Sequence, residues 1–209
     1  GHLSVNGSPP ILISPDVIPA SSMGAYSQPS DPVVFADDAA YKMVFSATNI
    51  DGVKQLFMAT SPDGLNWTPV MTPLLNDEQS WHELDKRARS IESTSEGIRL
   101  WYAGSNGARF RIGSALWSES EQDFVAESGS GTDWVFGTGT PGQFDDADVM
   151  HPVVYNDGGK THLIYSAFDG EIWSLGHAIR QTDGSFVRTT DFNGNPKASL
   201  RGAPLTFSH

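Results

Sequence analysis

The chain has 209 residues, 38% of them hydrophobic and 11% aromatic, which suits one folded domain over residues 3–209 and argues against disorder. With 25 acidic against 13 basic residues its formal net charge is −12, a surface that repels phosphate backbones and excludes nucleic acid as an expected partner. There is no cysteine, which rules out disulfides, thiolate metal sites and a cysteine nucleophile.

In chain order, the first apolar strand is Ile11-Leu12-Ile13; Gly1-His2 before it resembles a tag remnant and stands outside the fold argument. Residues 31–47, DPVVFADDAAYKMVFSA, then open a unit that returns 120 residues later at 151–167, HPVVYNDGGKTHLIYSA. A third copy at 88–104, ARSIESTSEGIRLWYAG, lies between them, so the spacings are 57 and 63 residues. Each copy reads as a short apolar strand (Pro32–Phe35, Ser90–Ile91, Pro152–Tyr155), a polar turn, and a strand rich in aromatic and β-branched residues (Tyr41–Ser46, Ile98–Ala103, Thr161–Ser166). A second turn leads to a third strand at Gln55–Thr60, Phe110–Leu116 and Ile172–Ile179. Hairpin-linked strands at a fixed period predict propeller blades over about 25–75, 80–127 and 140–190. No window has sustained helical periodicity with caps, so little helix is expected.

A trailing strand at Leu205-Thr206-Phe207 brings the total to three to four blades, where a closed propeller usually takes at least four. The expectation is a partial propeller whose open sheet edges favour a homodimer. Ser61-Pro62-Asp63-Gly64-Leu65-Asn66-Trp67 predicts a blade-closing turn, one residue short of the sialidase Asp-box spacing, with a structural role.

Four groups of residues carry candidate chemistry. Asp31 precedes Pro32, whose ring biases it towards extended backbone and a place at a strand entrance. There it reads as a carboxylate presented as a general base or hydroxyl acceptor, or else as a turn aspartate capping backbone N–H. Asp145, Asp146, Asp148 and His151 gather within seven residues and read as a Ca²⁺ site, an acid/base pair, or a solvated acidic loop. In the stretch 81–89, WHELDKRAR, Glu83 or Asp85 reads as one of two glycosidase carboxyls, with Arg87 or Arg89 orienting a hydroxyl or carboxylate; a solvated ion-paired loop is the alternative. Trp81 and Trp134, expected in loops, are the aromatic candidates for a sugar platform, whereas the strand aromatics read as core.

These blade motifs resemble the five-bladed β-propeller superfamily of arabinanases, levansucrases and invertases, and in particular family 43-like glycoside hydrolases. The residues that carry the resemblance are Asp31-Pro32-Val33-Val34, the Ser61–Trp67 turn, Phe144-Asp145-Asp146 with His151-Pro152-Val153-Val154, and Ile164–Gly170, over roughly 25–185. The resemblance implies an all-β propeller with an axial cavity where blade-start carboxylates act on carbohydrate. It implies catalytic roles for Asp31, Asp148 and Glu83, and substrate-binding roles for His151, Arg87, Arg89, Trp81 and Trp134. The blade-start series is Asp31, Ala88, His151, and only the first matches the family's carboxylate pattern. Three functions therefore remain open: a glycoside hydrolase, a non-catalytic carbohydrate-binding propeller, and an oligomerising scaffold. No run approaches the ~18 apolar residues of a membrane helix, and no signal peptide is visible at the N-terminus; absence of cysteine is compatible with a secreted or periplasmic location.

Overall fold

In the computed structural model of the protein, the described residues are 26–36, 40–76, 79–129, 131–191, 194–198 and 200–201. Gly1-His2, the strand expected at Ile11–Ile13 and the one expected at Leu205–Phe207 lie outside them. The structure is all-β: among the described residues the one helical element is a single 3₁₀ turn at Ser80–His82.

Three antiparallel meanders of four strands follow one another. The first holds β1 (Tyr26–Ala36), β2 (Tyr41–Asn49), β3 (Lys54–Ser61) and β4 (Thr68–Leu74). The second holds β5 (Asp85–Thr94), β6 (Gly97–Ser105), β7 (Phe110–Ser118) and β8 (Asp123–Glu127). The third holds β9 (Asp148–Asp157), β10 (Lys160–Phe168), β11 (Trp173–Arg180) and β12 (Phe186–Arg188), with a short β13 (Leu200–Arg201) against β11. A single parallel pair, Lys54 with Asp85, stitches the first meander to the second. Each meander is a propeller blade whose inner strand is β1, β5 or β9, and neighbouring inner strands pack together.

Burial explains the sequence patterns. The middle blade is covered on both faces, so β6 reads as a continuous buried run from Arg99 to Ser105. Its Leu100 and Tyr102 pack with Val44, Leu56 and Met58 of the first blade, while Trp101 packs with Leu163, Tyr165 and Phe186 of the third. In β10 only alternate residues (Leu163, Tyr165, Ala167) are buried, because its other face is uncovered among the described residues. Gly113 and Gly176 repeat one device: each pairs across the sheet with a tyrosine (Tyr102, Tyr165) whose ring occupies the space a Cβ would take.

The Ser61–Trp67 turn is structural, as expected. Asp63 Oδ1 accepts the N–H groups of Leu65 and Asn66, and Trp67 packs on the cluster of Met43, Phe45 and Phe57. The Asn66 and Leu65 N–H groups, with the Asn66 and Ser61 side chains, hold the Asp63 carboxyl well below the usual carboxylate range.

Candidate functional site

All three inner strands are irregular at the same point of the repeat. Pairing slips between Ser30 and Val33 in β1, between Ala88 and Ser90 in β5, and between Met150 and Val153 in β9. Each slip is a β-bulge, which adds a residue to one strand and re-aims a side chain. Asp31 and His151 occupy the first and third bulges with φ of 55° and 51°, in the left-handed region where only glycine is at ease. The extended Asp31 expected from Pro32 is therefore overturned: the bulge outweighs the proline bias. A non-glycine residue held this way stores of order 1–3 kcal/mol, and such strain concentrates where a side chain must point in a set direction.

The middle bulge solves the same problem differently. Ala88, the repeat equivalent of Asp31, is buried in the core between the first two blades, and Arg89 turns towards the bulge of β1. Its Nη1 lies 2.7 Å from Asp31 Oδ1. Lys54 Nζ, from the start of β3, is 3.7 Å from Asp31 Oδ2 and donates to Ser30 Oγ at 3.1 Å; Ser30 in turn donates to Asp31 Oδ2 at 2.9 Å. The Asp31 and Arg89 side chains are 14% and 17% exposed, so the pair is mostly desolvated yet still reachable. Burial and the neighbouring Arg87 charge lower the Arg89 pKa from its ordinary value, and Asp31 offsets part of that effect.

His151 completes the group. Its Nδ1 shares a 3.1 Å hydrogen bond with Ser166 Oγ. Burial lowers its pKa, and the Arg89 and Arg87 charges lower it further against the opposing pull of Asp31. His151 thus enters the site as a neutral imidazole at neutral pH, able to donate or accept one hydrogen bond according to its tautomer.

Beside this group lies a cleft of about 290 Å³ lined by Asp85, Arg87, Arg109, Phe110 and Asp148, among others. Arg87 makes a two-pronged ion pair with Asp85, at 2.9 and 2.7 Å, and sits 5.0 Å over the Phe110 ring. That bond to Asp85 raises the Arg87 pKa. Asp148 Oδ1 accepts the Phe110 N–H at 2.6 Å, and Arg109 donates to the Asp146 carbonyl at 2.8 Å. Arg87 joins the two halves, since its charge is felt by His151 and it feels Asp31.

Of the eight sequence candidates, the structure thus brings five to one end of the inner strands: Asp31, Arg89, His151, Arg87 and Asp148. Glu83 stands apart, exposed after the 3₁₀ turn and without a hydrogen bond or ion pair among the described residues. Trp81 needs correction as a loop platform: it is 3% exposed, stacked on Tyr102 with centroids 5.6 Å apart. Gly104 makes this possible, because a Cβ there would strike His82 and the Trp81 ring. Trp134 is half-buried against the same core, with the Arg111 guanidinium 4.3 Å over its ring. One face of its ring is thus taken by Arg111.

The acidic run also divides. Asp145 is fully buried, with Oδ2 accepting from Tyr165 Oη at 2.9 Å and Arg188 Nε at 2.6 Å. Asp146 accepts the Gly142 N–H, while Asp148 and His151 go to the partners already named. Among the described residues no three Asp, Glu or His side chains converge as cation ligands, so the Ca²⁺ reading of the run has no geometric support. Lys54, Ser30 and Ser166 were missed. Ser166 carried a signal, being shared with Ser46 in the repeat, whereas nothing local marked Lys54.

No family model and no curated protein matches the sequence. Solved structures do match in three dimensions. A glycoside hydrolase of the GH130 family of mannoside phosphorylases, targeting β-1,2-mannosidic linkages in Candida mannan, superposes with a TM-score of 0.65 at 17% identity. The alignment covers 84% of this chain and 52% of that one. A thermostable family-43 glycoside hydrolase gives 0.57 at 21% identity over 80% of this chain and 55% of its own. The fructan 1-exohydrolase IIa of Cichorium intybus gives 0.61 at 12% identity over 78% and 31%. The fold is that of the five-bladed β-propeller glycosidases. This propeller chain spans about half the length of the first two structures and about a third of the last. Among its described residues no helix is long and apolar enough to cross a membrane.

Proposed function

We propose that the chain carries the carboxylate side of a glycosidase-type carbohydrate site at the entrance of its inner strands. The observation that carries the reading is Asp31, held at a positive φ in a bulge and aimed at Arg89, with a second carboxylate, Asp85, on the adjoining Arg87. Glycoside hydrolysis needs one carboxylate to receive a proton from water, or to attack the anomeric carbon, and one carboxyl to protonate the leaving oxygen. Asp31 takes the first role. Asp85 or Asp148, both lining the adjoining cleft, takes the second. Arg87, Arg89 and Lys54 hold sugar hydroxyls by charge-assisted hydrogen bonds, and neutral His151 adds one more.

A second reading, carbohydrate binding without cleavage, is favoured by the ion pairing of Asp31 to Arg89, which occupies the lone pairs a base would use. One experiment separates the two. The chain is incubated with arabinans, xylans, fructans, mannans and aryl glycosides, reducing-end release is assayed, and binding is followed by calorimetry beside Asp31→Asn. Release lost in Asp31→Asn supports hydrolysis with Asp31 as base. Binding without release, weakened in that variant, supports the binding reading. Neither binding nor release across the panel removes the carbohydrate site altogether.

A further inference from the structure

A large cleft lies away from the bulges, on the outer part of the third blade. It measures about 730 Å³ and is formed by the β9–β10 turn, the end of β11, the β11–β12 turn and the residues after β12. Its charge is opposite to that of the chain. In a protein with 25 acidic and 13 basic residues, this cleft is lined by Lys160, Arg180 and Arg188, and no carboxylate lines it among the described residues.

The three cations are not equally available. Arg188 is committed inward, to Asp145, to the Gly137 carbonyl and to the Phe136 ring. Arg180 lines the cleft and, among the described residues, donates only from Nε, to the Gly184 carbonyl at 3.3 Å. Lys160 is exposed at the tip of the hairpin with no ion pair among the described residues. The nearest acid on the β11–β12 turn, Asp183, is engaged by the Ser185 N–H and hydroxyl at 3.0 and 2.6 Å.

The rest of the lining suits a polyol. Thr182, Thr190 and Gln181 present groups that both donate and accept, as sugar hydroxyls require, while Ile179 and Val187 provide an apolar strip for the C–H face of a ring. A free inorganic anion would use the cations alone. A saccharide carrying an acidic group would use all three kinds of surface.

We infer that this cleft is a binding site for an acidic saccharide, whose carboxylate or sulfate is held between Lys160 and Arg180 and whose ring lies over Ile179 and Val187. The site is separate from the bulge cluster and does not depend on what that cluster does.

The test titrates the full chain with an oligogalacturonate, its methyl ester, a sulfated oligosaccharide of similar length and sodium sulfate. Binding is measured by calorimetry and mapped by amide chemical shifts. The acidic oligosaccharides are expected to bind with shifts at 159–161, 179–182 and 187–190, and affinity falls as salt is raised. Lys160→Gln and Arg180→Gln are each expected to weaken binding about tenfold, the cost of losing one charge-assisted hydrogen bond, and Asp31→Asn leaves it unchanged. Both replaced residues are at least partly exposed, so folding is retained, checked by the unchanged amide spectrum elsewhere. Which of the two acidic oligosaccharides binds more tightly identifies the acidic group. Equal binding of the methyl ester, equal binding of sulfate ion alone, indifference to both variants, or no binding of either acidic sugar would each overturn the inference.

Discussion

Arg89→Met tests whether the bulge cluster is an electrostatic unit. The substitution keeps much of the aliphatic stem and removes the guanidinium that lies 2.7 Å from Asp31 Oδ1. Breaking one side of a fully buried pair costs about 3–5 kcal/mol, and an exposed pair contributes about 0–1 kcal/mol. Here both side chains keep some solvent contact, and Lys54 remains 3.7 Å away to compensate part of the stranded carboxylate. The expected loss therefore falls between the two regimes, at about 2 kcal/mol. With a urea slope of roughly 2 kcal/mol/M, the unfolding midpoint moves down by about 1 M.

Asp31→Asn alone also destabilises, because it leaves Arg89 and Lys54 without their shared anion. The double variant should recover about 1 kcal/mol relative to the sum of the singles, as expected of residues in direct contact. A second readout comes from His151, whose pKa the Arg89 charge helps to lower. Its imidazole proton, followed by NMR, should titrate at higher pH in Arg89→Met. Additive single variants together with an unmoved His151 titration would refute the coupling of the three blade starts.

Two further outcomes follow from the same structure. The pKa values of His151 and His177 are both lowered from the ordinary 6.5, each by burial first and then by a neighbouring positive or titrating group (Arg89 and Arg87; His162). The unfolded chain therefore binds more protons below pH 6.5, and stability should be level above that pH and fall beneath it; His177→Gln should flatten the fall in denaturant melts, and an unchanged slope would contradict the assignment. Gly176→Ala places a Cβ inside the Tyr165 ring and should cost about 1–3 kcal/mol by overpacking, read from urea melts, with the Tyr165 contact to Asp145 disturbed; Gly113→Ala should do the same through Tyr102.

Much of the fold was legible because blades repeat. The copies at 31–47, 88–104 and 151–167 align with the inner and second strands of three consecutive blades, and the turn residues between them fall between strands. The Ser61–Trp67 turn was readable for the same reason, since its contacts are local. The candidate site was legible only in part. Asp31, His151, Arg87, Arg89 and Asp148 do gather at one end, yet the middle blade presents Arg89 where the repeat places Ala88. A bulge inserts one residue, and because side chains alternate every residue, that insertion exchanges which of two neighbours faces the site. No periodic pattern records which neighbour wins.

The sequence by itself determined the architecture: hydrophobic alternation, turn chemistry and a recurring unit are local properties, and a repeated unit with an apolar face has few ways to bury it other than stacking on its copies. Tertiary structure decided what each polar or aromatic residue does. Trp81 is core because Gly104, on β6, leaves room for it. The acidic run splits because Tyr165 and Arg188 claim Asp145 while the Phe110 backbone claims Asp148. Lys54 joins Asp31 because β1 and β3 both pair with β2 and so lie in one sheet. Each outcome depends on partners brought together from well-separated parts of the chain, and that distance along the chain is why the sequence could name the candidates without assigning their roles.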